Sequence, residues 1–254
     1  MILVLRICLT ALLFGAWQIA SPLFELDFFI SRPSDILSSL FNWARDGSLF
    51  FHLGITSLEA GLGFLFGGAA GMVVGVLLGR RPILAAVLDP FLTAFYSVPK
   101  AALAPLFILW FGIGLDMKVI LAATVVFFLV FLNTFTGVRE VSREQVSVLR
   151  LMGANERHLL TKVVIPSAII WVFAGLRLSV PYALIGAIVG EIIAANRGLG
   201  YLLSNSAAQF DTAGVFASLF VIMGLSLFLN QVVKSTERML LPWRKAETLR
   251  EIAV

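Results

Sequence analysis

Residues 213–233 run for 21 positions without a charged side chain. A helix needs about 20 apolar residues to cross the hydrocarbon core of a bilayer. In lipid only a helix or a closed barrel satisfies its own backbone, so this run predicts a membrane-spanning helix. Residues 117–138, dense in Val, Phe and Leu, repeat the pattern, as do 56–79, where the acid Glu59 stands near the start. Composition agrees: 59% of the chain is hydrophobic and 13% charged, against roughly 25% charged in a soluble domain. The chain therefore reads as an all-α, polytopic membrane protein for which lipid is much of the solvent.

Two further segments are long and interrupted. Residues 83–114 contain Pro90, Pro99 and Pro105, and read as one broken or bent span, with two shorter membrane segments as the alternative. Residues 164–194 have Pro166 near their start and Pro181 inside. The start of the chain has Arg6 and then an apolar run to Ala20. An uncleaved first helix is favoured over a cleaved signal peptide, because no clear A-x-A site follows. The total is about six spans.

Basic residues set the direction. Arg80 and Arg81, then Arg139, Arg143, Arg150, Arg157 and Lys162, then Lys234, Arg238, Arg244, Lys245 and Arg250 all fall on one side if six spans leave both termini in the cytoplasm of a cell (inner) membrane protein. The other side receives Arg32, Arg45, Lys118 and Arg197. Trp17 and Trp110 would then lie near the outer interface and Trp243 near the inner one. The net charge of +4 is spread along the chain and reads as topology, not as a nucleic-acid surface.

Four charges fall at membrane depth, Asp89, Lys100, Arg177 and Glu191, where they are costly and face protein or water. They read either as a polar pathway in which Lys100 or Arg177 attracts an anion, or as internal ion pairs and caps on broken helices. Gly63, Gly67, Gly71, Gly75 and Gly79 recur every four residues and form one stripe for close helix approach. That stripe is either a static packing face or a surface that slides between transport states.

No catalytic chemistry is visible. Cys8 is the only cysteine, which excludes an internal disulfide and a thiolate metal site. His52 and His158 fit no metal spacing and read as polar residues near helix ends, and no metal or cofactor is expected. The chain holds no G-x-x-x-x-G-K-[ST] phosphate loop, no G-x-S-x-G elbow and no H-E-x-x-H. Energy for active transport would have to come from elsewhere.

The polar connection 139–166 is helical in pattern, with Val141, Val148, Leu149, Met152, Leu159 and Leu160 among charges and Gly153 as a turn between two short helices. Such helices lie on lipid or dock in a partner's groove. Here the chain resembles the permease subunits of bacterial ATP-binding cassette importers, whose EAA loop reads E-A-A, three residues, Gly, nine residues, apolar-x-apolar-Pro. Gly153 is followed by nine residues and then Val163, Val164, Ile165 and Pro166, while Ser147, Val148 and Leu149 stand at the E-A-A positions. The stretch 99–114, PKAALAPLFILWFGIG, together with Gly175-Leu176-Arg177 and with Glu191 ahead of Gly198-Leu199-Gly200-Tyr201, resembles the nitrate/sulfonate/taurine/bicarbonate branch. Glu59 stands where those relatives often carry a base.

The resemblance, over about residues 51 to 240, implies a type I importer (MetI-like) permease fold. It implies residues 1–50 as a first span and periplasmic segment, 51–240 as the transmembrane domain with its loop at 139–166, and 241–254 as a cytoplasmic tail. It further implies a second permease copy (a homodimer), two ATP-binding cassette ATPase subunits, and a periplasmic or lipid-anchored substrate-binding protein. The coupling element would span about 145–158, with Leu149, Met152 and Ala154 as the ATPase contact. The substrate would be a small solute, an anion such as a sulfonate, taurine or nitrate, or else a pyrimidine vitamin precursor or riboflavin. The remaining alternatives are a membrane scaffold that transports nothing and a secondary transporter.

Overall fold

The computed structural model describes residues 2–24 and 27–241. Trp243, Arg244, Lys245, Arg250 and the tail assigned to 241–254 lie outside the described residues, apart from Leu241. The elements in order are α1 (Ile2–Leu23), α2 (Asp27–Ile30), α3 (Pro33–Arg45), α4 (Ser48–Gly79), α5 (Pro82–Ser97), a 3-10 turn (Lys100–Leu103), α6 (Ala104–Phe111), α7 (Leu115–Arg139), α8 (Arg143–Leu151), α9 (Glu156–Leu159), a π-helical turn (Leu160–Val164), α10 (Ile165–Ala194), α11 (Leu199–Ala208) and α12 (Thr212–Leu240). Among the described residues, α1, α4, α7, α9 running on into α10, and α12 give five helices long and apolar enough to cross a membrane. Counting α5 with the 3-10 turn and α6 as one bent span makes six.

The start of α4 at Ser48 places the boundary drawn at residue 51 inside a continuous 32-residue helix. At 1.5 Å per residue that helix is about 48 Å long, more than the hydrocarbon core requires. The interrupted segment bends by 83° between Ser97 and Lys100. Pro99 is the cause: it lacks an N–H, and the residue before it, Val98, is pushed into an extended conformation at φ −66°, ψ 127°. Pro90 and Pro181, by contrast, sit inside continuous helices.

Two compact units divide the chain, Met1–Leu58 with Ile188–Leu225 and Glu59–Ala187 with Ser226–Val254. In the first, Trp17 of α1 meets Phe216 edge-on and Phe220 face-on, and its indole N–H donates to the Ser31 carbonyl at 3.2 Å. Asp27 pairs with Arg32 and accepts from the Ser21 hydroxyl at 2.6 Å. The guanidinium first, and the hydroxyl after it, hold this carboxyl down at about 2. In the second unit the glycine stripe of α4 runs against α7. A methyl on Gly63 would lie 2.5 Å from the Ala122 Cβ, on Gly71 2.6 Å from the Phe127 carbonyl oxygen, and on Gly75 or Gly79 2.7 Å from the Cβ of Thr134 or Val138. On Gly67 it would fall on the Ala123 carbonyl. The stripe is thus a close contact with α7, to its backbone at Gly67 and Gly71 and to its Cβ atoms at Gly63, Gly75 and Gly79.

Candidate functional site

The polar connection folds as two short helices closed by side chains. Ser142 caps α8 by accepting from the Gln145 N–H at 3.3 Å, and Asn155 caps α9 by accepting from the His158 N–H at 2.9 Å. Between them Gly153 takes φ +83°, which L side chains rarely adopt. Its N–H reaches the Arg150 carbonyl at 3.0 Å and that of Ala154 reaches Leu149 at 2.9 Å, the paired bonds of a Schellman motif. The hydrophobic contact of that motif falls on Leu149 and Ala154, and both are half-buried.

The apolar surface that α8 turns outward holds Val148 and Met152, both expected in the coupling loop, and adds Leu151. Val148, Leu151 and Met152 are 55%, 89% and 77% exposed. Leu149 and Ala154, expected with Met152 as the ATPase contact, are half-buried, whereas Leu151 is exposed. The missed signal was the i, i+3, i+4 spacing from Val148. Ser147 lines a cleft of about 500 Å³ with Val141, Val146, Arg150, Glu156 and Arg80. Glu156 spans that cleft, with Oε2 at 3.0 Å from Arg80 and Oε1 at 3.0 Å from Arg150. Pro166 stands exposed in the first turn of α10, directly after the π-helical turn.

The charges at membrane depth all have partners or open surface. The Lys100 ammonium donates to the carbonyls of Phe95, Tyr96 and Val98 at 2.8, 2.8 and 2.7 Å and lies 4.7 Å from the Phe128 ring centroid. Its three donors thus close the end of α5, where helix carbonyls carry partial negative charge. Tyr96, Lys100, Phe128 and Tyr182 line a cleft of about 420 Å³ there. Arg177 of α10 pairs with Glu237 of α12 at 3.2 Å. Asp89 is exposed on α5.

Glu191 is 1% exposed and caps α11. Its Oε2 accepts from the Gly200 N–H and its Oε1 from the Thr56 hydroxyl, both at 2.6 Å. Thr56 Oγ1 accepts in turn from the Leu199 N–H at 2.8 Å, and His52 Nδ1 from the Gly198 N–H at 2.9 Å. Three side chains from α4 and α10 thus satisfy three successive N–H groups that a helix start leaves open. His52, read as an ordinary helix-end residue, belongs to this cap. Its spacing of four from Thr56 puts both on one face, but nothing local points to a partner about 140 residues away. Lys118, assigned with Arg32, Arg45 and Arg197 to the outer side, is 4% exposed and meets Glu59 at 2.6 Å. Among the described residues no group of three or more His, Cys, Asp or Glu could hold a metal ion.

The chain is 33% identical over 232 residues to the formylaminopyrimidine transport permease of Halalkalibacterium halodurans, covering 91% of this chain and 92% of that one. It is 33% identical over 239 residues to a putative aliphatic sulfonates transport permease of Bacillus subtilis, covering 94% and 87%. A chain of a crystallised amino acid ATP-binding cassette transporter shares the fold, at a TM-score of 0.60 and 17% identity over 79% of this chain and 96% of that one. Residues 67–241 match the family described as the binding-protein-dependent transport system inner membrane component. With the all-helical architecture and the missing phosphate loop, these matches make the chain a member of that family, the membrane permease component of an ATP-binding cassette importer whose ATP is hydrolysed by a separate subunit.

Proposed function

We propose that this chain lines the substrate pathway of an importer and couples it to the ATPase through 143–166, with Gly153 as the fixed turn. The observation that carries this reading is the exposed apolar end of α8, Val148, Leu151 and Met152, held outward by a Schellman turn beside charged helices. Water does not favour such a surface, and a groove in a partner does. Two copies of the chain pair around the pathway, and a substrate-binding protein delivers solute from outside. Residues 139–166 and both termini face the cytoplasm, as the basic clusters favour.

The pathway passes the bend at Lys100. One reading of Lys100 and Arg177 had them attract an anion, the other had them engaged internally; Lys100 donates to helix carbonyls and Arg177 pairs with Glu237. The cleft at the bend instead offers the rings of Tyr96, Phe128 and Tyr182. That supports a planar heterocycle such as a pyrimidine over a sulfonate, because an aromatic face gains from stacking. The test is uptake by proteoliposomes holding the permease, its ATPase and its binding protein. Formylaminopyrimidine uptake should exceed uptake of an aliphatic sulfonate. Gly153→Glu, and separately Leu151→Glu with Met152→Glu, should abolish uptake at unchanged permease content. Normal uptake in Gly153→Glu sinks the coupling reading.

A further inference from the structure

We propose that Glu156 is the acid of the coupling loop, a positioning residue standing in for the acid that the E-A-A pattern puts at position 147. The inference rests on the reading of 143–166 as the coupling segment. In this chain Ser147 occupies the acidic position of the pattern. Ser147, Arg150, Glu156 and Arg80 line one cleft. Positions 147 and 150 are three apart on α8, so an acid at 147 would lie beside Arg150. Glu156 reaches the same guanidinium from the other side of the Gly153 turn, at 3.0 Å, and holds Arg80 at 3.0 Å with its second oxygen.

The consequences are mechanical and electrostatic. Arg80 directly follows α4, Arg150 lies in the last turn of α8, and Glu156 opens α9. One carboxylate thus joins three helix ends, and it sits at the helix start where negative charge is favoured. Without it, two guanidinium groups share one cleft with no compensating charge. Single exposed bridges are weak, and these side chains are 34% to 67% exposed. Glu156 therefore matters for where α8 points rather than for whether the chain folds. An acid returned to position 147 restores charge to the same cleft.

The test uses the complete transporter in proteoliposomes, with MgATP hydrolysis as the readout. Glu156→Gln should lower kcat about threefold to tenfold and leave KM for MgATP within about twofold, because the nucleotide sites lie in another subunit. Adding Ser147→Glu to Glu156→Gln should return kcat to within about twofold of the parent. Loss of a merely structural contact at 156 would not be repaired by a substitution at 147. Unchanged kcat in Glu156→Gln, or failure of Ser147→Glu to restore it, overturns the proposal. Gly153→Glu is run in parallel. If it hydrolyses ATP and transports normally, the coupling reading itself fails; if it is defective while Glu156→Gln is normal, only the role of Glu156 fails.

Discussion

Glu59 and Lys118 meet at 2.6 Å with side chains 3% and 5% exposed, and Glu59 Oε2 has no hydrogen-bond partner among the described residues. A buried pair of this kind adds little net stability, but breaking it strands a charge. Lys118→Met should destabilise the protein by about 3–5 kcal/mol, whereas Glu59→Leu with Lys118→Met should cost far less than the single change. Thermal unfolding in detergent checks both; equal losses would show that the pair is not a buried unit. The sequence set Glu59 apart, since similar proteins often carry a base there, and placed Lys118 among the few bases of the outer side. Their partnership was not legible, because 59 positions separate them and only the approach of α4 to α7 joins them. Lys100 was different: its place after Pro99 already pointed to a broken helix with open carbonyls, one of the two readings weighed.

At the scale of elements, the recurring glycines of α4 were the clearest signal in the chain. Spacing of four says that one face is bare, and the structure puts α7 against it. Gly67→Ala should therefore destabilise by about 1–3 kcal/mol, since its methyl would fall on the Ala123 carbonyl, which cannot give way like a side chain. The same change at Gly224, with nothing within 4 Å, should be neutral or slightly stabilising. Similar unfolding temperatures for the two variants would contradict a close backbone contact. The two short helices around Gly153 were also readable, from their apolar spacing and the glycine. The exposure of Leu151 was not, since it depends on how α8 and the turn at Gly153 pack, which leaves Leu149 and Ala154 half-buried.

For the whole molecule, the basic clusters and the six-segment count predict one orientation. With Cys8→Ala as background, a cysteine at Glu140 should react with an impermeant maleimide only from the cytoplasmic side, and one at Asp211 only from the outside. Labelling of both from the same side would require an even number of crossings between them, where α9 running on into α10 supplies one. The bend between Ser97 and Lys100 carries the count of six, since α5 and α6 are each too short to cross alone at 16 and 8 residues.

By itself the sequence determined the solvent and the class of fold. Uncharged runs of about 20 residues leave a backbone no choice but helix in lipid. The glycine repeat and the Gly153 spacing were local patterns, readable because helix periodicity turns sequence distance into position on a face. Only the tertiary structure decided the partners of the buried charges. Glu191 caps α11 with Thr56 and His52, Arg177 meets Glu237, Lys118 meets Glu59, and Glu156 bridges Arg80 and Arg150. Each of these links depends on which helices pack together, and a charge satisfied by a distant helix leaves no mark on its own neighbours in sequence.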